Sequence, residues 1–223
     1  HSYDVPVSRT TDAPVEVASE SRPAEIAAGP AAADVRRVLV RPMPNDGAWA
    51  WIGPLFAGAV AALLRLVDLG RPAKFVFDET YYAKDALALL LFGHEMDAKK
   101  NANETLLGLD GNLDAAREIF KDSPSYVVHP PFGKWVIAAG EKVFGADPFG
   151  WRIAVCVLGI LSVVMLARIV RRMTGSNLLG TIAGFLLAID GMAIVMSRTA
   201  LLDGVLAFLV LAAFGALLLD RDR

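Results

Sequence analysis

A single cysteine, Cys156, in 223 residues excludes an intramolecular disulfide and any metal site built from thiolates. It sits inside an apolar run, where a lone cysteine behaves as a small buried hydrophobe. Charge of one sign is also missing. The 22 Lys and Arg nearly balance the 24 Asp and Glu, for a formal net charge of −2. That excludes the basic footprint of a nucleic-acid binder. Proline is unevenly spent: Pro6, Pro14, Pro23, Pro30, Pro42 and Pro44 all fall before Trp49. Residues 1–48 lack apolar periodicity and cannot bury enough surface to offset their ordering entropy, so they are expected to form a disordered tail. The opening does not read as a signal peptide, having no short apolar core behind a basic start.

What is plentiful is apolar. Hydrophobic residues make up 55% of the chain, with a mean hydropathy of +0.46, against about 45–50% in soluble domains. Four segments are apolar enough to cross a bilayer: 49–69, 153–170, 178–196 and 199–219. Trp49 and Trp51 suit an interfacial belt. Arg65 is expected to snorkel or to face a protein interior. Asp190–Gly191 threatens to shorten the third span. The expected fold is an all-α polytopic bundle over 49–223. The chain opens on His1 and stops at Arg223 directly behind an apolar segment, so it is expected to be part of a longer membrane protein.

Positive charge sets the expected orientation. Arg36, Arg37 and Arg41 precede the first span, Arg168, Arg171 and Arg172 close the second, and Arg221 and Arg223 follow the fourth. All agree if the N-terminus, the 171–177 loop and the C-terminus are cytoplasmic. The 71–152 segment is then extracytoplasmic, and so is the turn at Ser197–Arg198. Asp78, Glu79, His129, Lys134, Arg152, Asp190, Arg198 and Asp203 consequently gather near one face.

A connection of this length is expected to do more than connect. "ETYYAKDALALLLFG" and "PFGKWVIAAGEKVFG" have helical apolar faces and suit helices lying along the interface. In the second, Trp135, Ile137, Ala138, Val143 and Phe144 are the expected buried face, set against Lys134, Glu141 and Lys142. The polar stretch between them reads as a solvent-exposed insertion, with a weak glycosylation pattern at Asn103.

Four motifs carry chemistry. In "FDE", Asp78 is equally suited to cap the following helix or to serve as a base at the membrane surface, with Glu79 at the positive end of the helix dipole. In "HPPFGK", two prolines stiffen a corner that presents the His129 imidazole and the Lys134 ammonium to an anion, and Gly133 permits close approach of a neighbour. Arg152 in "FGWR" either snorkels or grips a lipid phosphate through its forked donors. In "SRTALLDG", Arg198 and Asp203 either pair to fix a helix hairpin or serve a site, since intramembrane acids are costly.

Together, "FDE", "HPPFGK", "FGWR" and "SRTALLDG" resemble, in order and spacing, the protein O-mannosyltransferases, above all the actinobacterial members. The resemblance runs from about Trp49 to the end and leaves out the Pro-rich tail. It implies a polytopic glycosyltransferase of the GT-C architecture, of which this chain is the N-terminal part. It further implies transfer of mannose from polyprenyl-phosphate-mannose to Ser or Thr of exported proteins, outside the cytoplasmic membrane and alongside the secretion translocon. Asp78 is then the expected base, with Glu79 orienting the acceptor. Arg152 is expected on the carrier phosphate, and His129, Lys134, Arg198 and Asp203 on carrier or acceptor. Neither cofactor nor metal is expected, because fixed cations neutralise the leaving group. The expected further spans close the lipid groove. Two alternatives stand beside this reading. One is a GT-C enzyme glycosylating a lipid. The other is a transporter or non-catalytic membrane scaffold that uses Asp190 and Asp203 as relay or ion sites.

Overall fold

The computed structural model describes residues 47–221. The expected tail therefore lies outside the described residues except for Gly47 and Ala48, which turn into the first helix. Arg36, Arg37, Arg41 and Arg223 lie outside them as well. Three helices are long and apolar enough to cross a membrane: α1 (Trp49–Leu66), α5 (Pro148–Thr174) and α8 (Leu202–Arg221). α6 (Asn177–Ile189) and α7 (Gly191–Ser197) meet at 64° and together make a bent fourth crossing. Between α1 and α5 lie α2 (Glu79–Phe92), β1 (Met96–Ala98), α3 (Ala102–Leu107), a 3-10 turn at Ala115–Ile119, β2 (Phe120–Pro124) and α4 (Phe132–Phe144).

The bundle core is built on small residues. A Cβ on Gly53 of α1 would fall 1.8 Å from Thr181 Oγ1 of α6, and one on Gly184 of α6 would meet Ala167 Cβ of α5 at 2.8 Å. Helices in lipid gain little from hydrophobic exclusion, so close backbone approach through small residues is what holds them together. Ala57, Ala61, Val163 and Ala188 fill the space between these three helices. α8 is looser, with only Val205 and Leu218 buried.

The third crossing is broken at Asp190, not merely shortened. Asp190 is extended, and its carboxylate accepts the Ala193 N–H at 2.7 Å, which caps α7 just as α6 ends. The break leaves the last carbonyls of α6 without helical partners, at a cost of several kcal/mol each in hydrocarbon. Arg65 supplies the partners. Its Nη1 donates to Ala188 O at 2.8 Å, Nη2 to Leu187 O at 3.1 Å and Nε to Ser197 Oγ at 2.9 Å. Arg65 is thus buried in protein and does not snorkel. Arg198 returns the favour by donating to the carbonyls of Leu64, Arg65, Val67 and Asp68 at the end of α1. The two arginines lock α1 to the bent crossing.

The segment between α1 and α5 departs from expectation in two ways. The polar insertion is a packed unit: Ala102, Leu106, Ala116, Ile119 and Phe120 are buried and join the core formed by Ala83, Leu87, Ile137 and Trp151. β1 and β2 pair antiparallel, Met96 opposite Pro124 and Ala98 opposite Phe120. Asn103 donates to Thr80 Oγ1 and accepts from Lys84 Nζ, so its amide is engaged within the fold. The second departure is the orientation of α4. Ile137 and Ala138 are buried as expected, but Lys134 and Glu141 are buried with them, while Trp135, Val143 and Phe144 are exposed. An interfacial helix has two apolar surroundings, and here its more polar stripe turns to the protein, where its lysine finds partners.

Two consequences are measurable. Arg65→Ala strips partners from two carbonyls and a hydroxyl, and is expected to destabilise the detergent-solubilised protein by about 3 kcal/mol, read as a lowered unfolding midpoint. Glu141 is fully buried with neither carboxyl oxygen bonded to a protein group, and burial holds its carboxyl well above the ordinary value. Because the folded state keeps this proton longer than the unfolded chain does, stability falls as pH rises above about 4.3, the unperturbed Glu value. Glu141→Gln is therefore expected to raise stability at pH 7 and to flatten that decline in a pH series of melting curves.

Candidate active site

The acidic pair sits where the chain enters α2, and the approach to it is tightly held. Phe75 stacks on Trp151 with centroids 4.8 Å apart and planes within 8°. Phe77 adopts a positive φ of 54°, a conformation that a bulky residue rarely takes without a constraint. It turns the Phe77 ring outward, 77% exposed, and delivers Asp78 and Glu79 to opposite fates.

Glu79 is completely buried and fully engaged. Its Oε1 accepts from Arg152 Nε at 2.7 Å and from the Ala200 N–H at 2.9 Å. Its Oε2 accepts from Arg152 Nη2 at 2.8 Å and from the Val76 N–H at 2.9 Å. Arg152 spends its other donors on backbone: Nη1 on Leu69 O and Pro72 O, Nη2 on Lys74 O. The pair clamps four pieces of chain, namely the 69–76 connection, the start of α2, the first turns of α5 and the turn before α8. This corrects two expectations. Arg152, 1% exposed with every donor group engaged, is not placed to meet a lipid phosphate, and Glu79 has no lone pair turned to an acceptor.

Asp78 is the member left free for chemistry. Although it occupies the N-cap position of α2, its side chain caps nothing; its main-chain carbonyl accepts from Tyr81 and Tyr82 instead. The Asp78 carboxylate acts electrostatically on the Tyr82 hydroxyl. Tyr82 in turn meets the ring of His129 edge-on at 5.7 Å, so the "HPP" corner does reach the acidic pair. The Tyr82 phenol is held above its ordinary value, first by burial, then by the negative charges of Asp78 and Asp203, with Lys134 pulling the other way. Tyr82 was not among the residues singled out in the sequence. Its signal was its place four residues after Asp78, one helical turn on and on the same face.

Lys134 is also placed otherwise than expected. It is wholly buried, 2.9 Å from Asp85 and 2.7 Å from Glu95. Burial alone would lower its ammonium, but the bonds to Glu95 and Asp85 outweigh it and hold it above the ordinary value. It cements α4 to α2 and to the residue before β1, and presents no charge to an outside anion. Gly133 beside it does permit a close approach, since a Cβ there would lie 2.8 Å from Leu202 at the start of α8. Arg198 caps α1 but keeps its Nε and part of Nη2 unclaimed. It makes no ion pair with Asp203, so the hairpin-pair alternative does not hold.

Asp203 has a different setting. It lines a groove of about 760 Å³ between α5, the bent crossing and α8, together with Val155, Gly159, Leu206, Val210 and Phe214. Its polar lining is Arg65, Ser162, Ser197 and Asp203. From Asp203 to Phe214 along α8 the wall is apolar for about 16 Å. The charge of Asp203 acts on Tyr82. The Tyr82–His129 contact and the approach of Gly133 to Leu202, next to Asp203, bring the start of α2, the "HPP" corner and the head of the groove to one rim. Among the described residues no cluster of His, Cys, Asp and Glu has the arrangement of a metal site.

Comparison with known proteins bears on this arrangement. Residues 55–219 match the family described as dolichyl-phosphate-mannose-protein mannosyltransferase. The chain is 40% identical over 185 residues to the polyprenol-phosphate-mannose–protein mannosyltransferase of Mycobacterium tuberculosis, covering 81% of this chain and 31% of that protein. The protein of the same name in Mycolicibacterium smegmatis is 39% identical over the same shares. That of Corynebacterium glutamicum is 36% identical over 66% of this chain and 25% of its own length. The chain therefore spans about a third of the length of the curated relatives it matches. No solved structure matches it.

The geometry separates a structural role for the Glu79–Arg152 pair from a binding role. Removing one member strands the other as a buried charge, at about 3–5 kcal/mol. Arg152→Ala and Glu79→Gln are both expected to lower the unfolding midpoint sharply, and the double variant to lower it less than the sum of the two. Additive losses would show that the two side chains do not act as a pair.

Proposed function

Since the chain belongs to the dolichyl-phosphate-mannose-protein mannosyltransferase family, polytopic membrane proteins of the GT-C architecture, we propose that it carries the acceptor-activating part of an enzyme that moves mannose from polyprenyl-phosphate-mannose to Ser or Thr of exported proteins. The observation that carries this reading is the Asp78 carboxylate. Its side chain caps nothing, its charge acts on Tyr82, and it stands at the rim above a groove fit for a long hydrocarbon chain.

The reaction is a single displacement. The carrier lies with its polyprenyl chain against Val155, Leu206 and Phe214 and its sugar at the rim. The acceptor oxygen attacks the anomeric carbon while its proton passes to Asp78. The bond from that carbon to the carrier phosphate breaks, its electrons leave with the phosphate, and the configuration inverts. The leaving phosphate needs cationic donors. Arg152 and Lys134 are committed elsewhere, so the role falls to the unclaimed donors of Arg198, with His129 nearby. The step invokes no metal.

The orientation follows from charge. Arg168, Arg171, Arg172 and Arg221 lie at the end of the bundle opposite Asp78; along α5 alone, Arg152 and Arg171 are about 29 Å apart. That basic end faces the cytoplasm, and the rim faces outward in the cytoplasmic membrane. There the translocon can deliver unfolded acceptors.

Membranes bearing the protein, given a Ser/Thr-rich peptide and labelled polyprenyl-phosphate-mannose, are expected to label the peptide. Label that appears only in lipid would point to a glycolipid acceptor instead. Asp78→Asn is expected to lower peptide transfer by roughly 10²–10⁴-fold, the size of a general-base contribution, with the melting curve unchanged. Full-rate transfer by a folded Asp78→Asn protein would remove Asp78 as the base.

A further inference from the structure

β2 pairs with β1 along one edge, and the ladder ends where the Ser125 N–H donates to Glu95 O at 3.0 Å. Past that point the partner strand has nothing further to offer, because its chain has only just left α2 at Phe92. Tyr126, Val127 and Val128 run on without helix, turn or bend until His129. Among the described residues, none of the three has a main-chain hydrogen bond. They are 86%, 57% and 66% exposed. A strand lying on the fold would bury every second residue, so this one stands clear on both sides. Aromatic and β-branched residues are those most at home in sheets, and an open edge is a template for another chain. Proteins blunt such edges with charge or proline. β2 does so with Lys121 and Asp122, both exposed, but its continuation carries neither between Pro124 and Pro130. It is held at both ends, by β1 on one side and by the Pro130–Pro131 entry to α4 on the other.

We propose that residues 126–128 pair, strand against strand, with the acceptor polypeptide, an inference that rests on the transfer reading and adds to it the surface that receives the acceptor. Two observations choose this occupant. The first is what the segment leaves unmet: main-chain N–H and C=O groups, which hydrocarbon cannot satisfy. Lipid is therefore the wrong partner and an extended polypeptide the right one. The second is position. His129 follows directly and meets Tyr82, one helical turn after Asp78. A chain laid along 126–128 continues onto the rim and brings its Ser or Thr side chains to the side on which Asp78 stands. A further segment of the protein fixed on this edge would block that approach. Main-chain pairing reads extension more than sequence. The acceptor then needs a hydroxyl and an unfolded backbone, with Tyr126 and Val128 on one side and Val127 on the other offering apolar contact.

The test is a series of peptides with one Thr, each N-methylated at a single different position, given with labelled polyprenyl-phosphate-mannose to membranes bearing the protein. The N–H groups of a strand point alternately to its two edges. KM is therefore expected to rise about fivefold, the worth of one hydrogen bond, at every second position on one side of the Thr, with kcat unchanged. Val127→Pro and Val128→Pro remove neighbouring N–H groups that face opposite edges. One is expected to raise KM for the unmethylated peptide about fivefold and the other to leave it near the unsubstituted value. A flat profile with efficient labelling overturns the proposal and leaves the transfer reading standing, and so does an equal KM in the two folded proline variants. A flat profile together with a lowered melting midpoint in both variants would place an internal segment of the protein on the edge instead. No labelling of any peptide defeats the transfer reading and this proposal with it. The methylated series needs no variant, so it decides alone if the proline variants do not fold.

Discussion

The buried pair of Glu79 and Arg152 is the constraint from which the rest of the rim follows. A carboxylate and a guanidinium removed from water lose solvation that their mutual attraction alone does not restore. Here the deficit is met by saturating both groups: Glu79 takes two backbone N–H groups beyond its arginine, and Arg152 takes three carbonyls. Those five backbone groups belong to loops that have no helix or sheet to satisfy them. The pair therefore serves as the secondary structure of the 69–76 connection and of the turn at Ala200. Because Glu79 is fixed from all sides, the residue before it on the chain is fixed as well, and Asp78 is held through its main chain with a half-buried carboxylate that caps nothing. Rigid neighbour and free carboxylate are two sides of one arrangement.

The same economy governs the bundle. Irregular backbone at membrane depth is tolerated only where protein groups replace the missing hydrogen bonds. The break at Asp190 would be prohibitive in lipid, yet Asp190 caps one half and Arg65 the other, while Arg198 closes α1. Three charged residues that would otherwise suggest an ion path are accounted for as caps of a bent helix and its neighbour. Asp203 is the intramembrane acid left over, and it is the one that opens into the groove.

Much of this was legible in the sequence and some was not, for identifiable reasons. Hydropathy located α1, α5 and α8, because twenty apolar residues in a row have few other uses. The gathering of ionisable groups on one side followed from charge bias. What the sequence could not convey was which of those groups are spent on each other. Glu79 and Arg152 are 73 positions apart and Lys134 and Glu95 are 39 apart, and nothing local distinguishes an arginine with a buried partner from one awaiting a ligand. The face of α4 was misread because periodicity finds two faces without saying which meets lipid. At an interface the apolar face turns outward, the reverse of a water-soluble helix. The insertion looked polar because a short helix shows its core through only two positions, Ala102 and Leu106.

The charge balance of the rim has a chemical meaning under the proposed reaction. With Arg152 neutralised by Glu79 and Lys134 outnumbered by Asp85 and Glu95, the charges that act on Tyr82 are chiefly those of Asp78 and Asp203, and they add to burial in holding the phenol above its ordinary value. Such a field opposes a departing phosphate, which must then lean on Arg198 and His129. It also favours the other charge that glycosyl transfer creates. The anomeric carbon becomes oxocarbenium-like as its bond to the carrier lengthens, and fixed negative groups aimed at a developing positive centre stabilise it without reorganising. The rim is therefore asymmetric by construction: carboxylates where the sugar turns positive and the acceptor gives up its proton, and the remaining guanidinium donors toward the side from which α1 emerges. A reaction that separates charge in this sense is one the arrangement can assist at both ends, whereas a relay of bare cations past Asp203 would meet the capped guanidinium groups of Arg65 and Arg198 beside it.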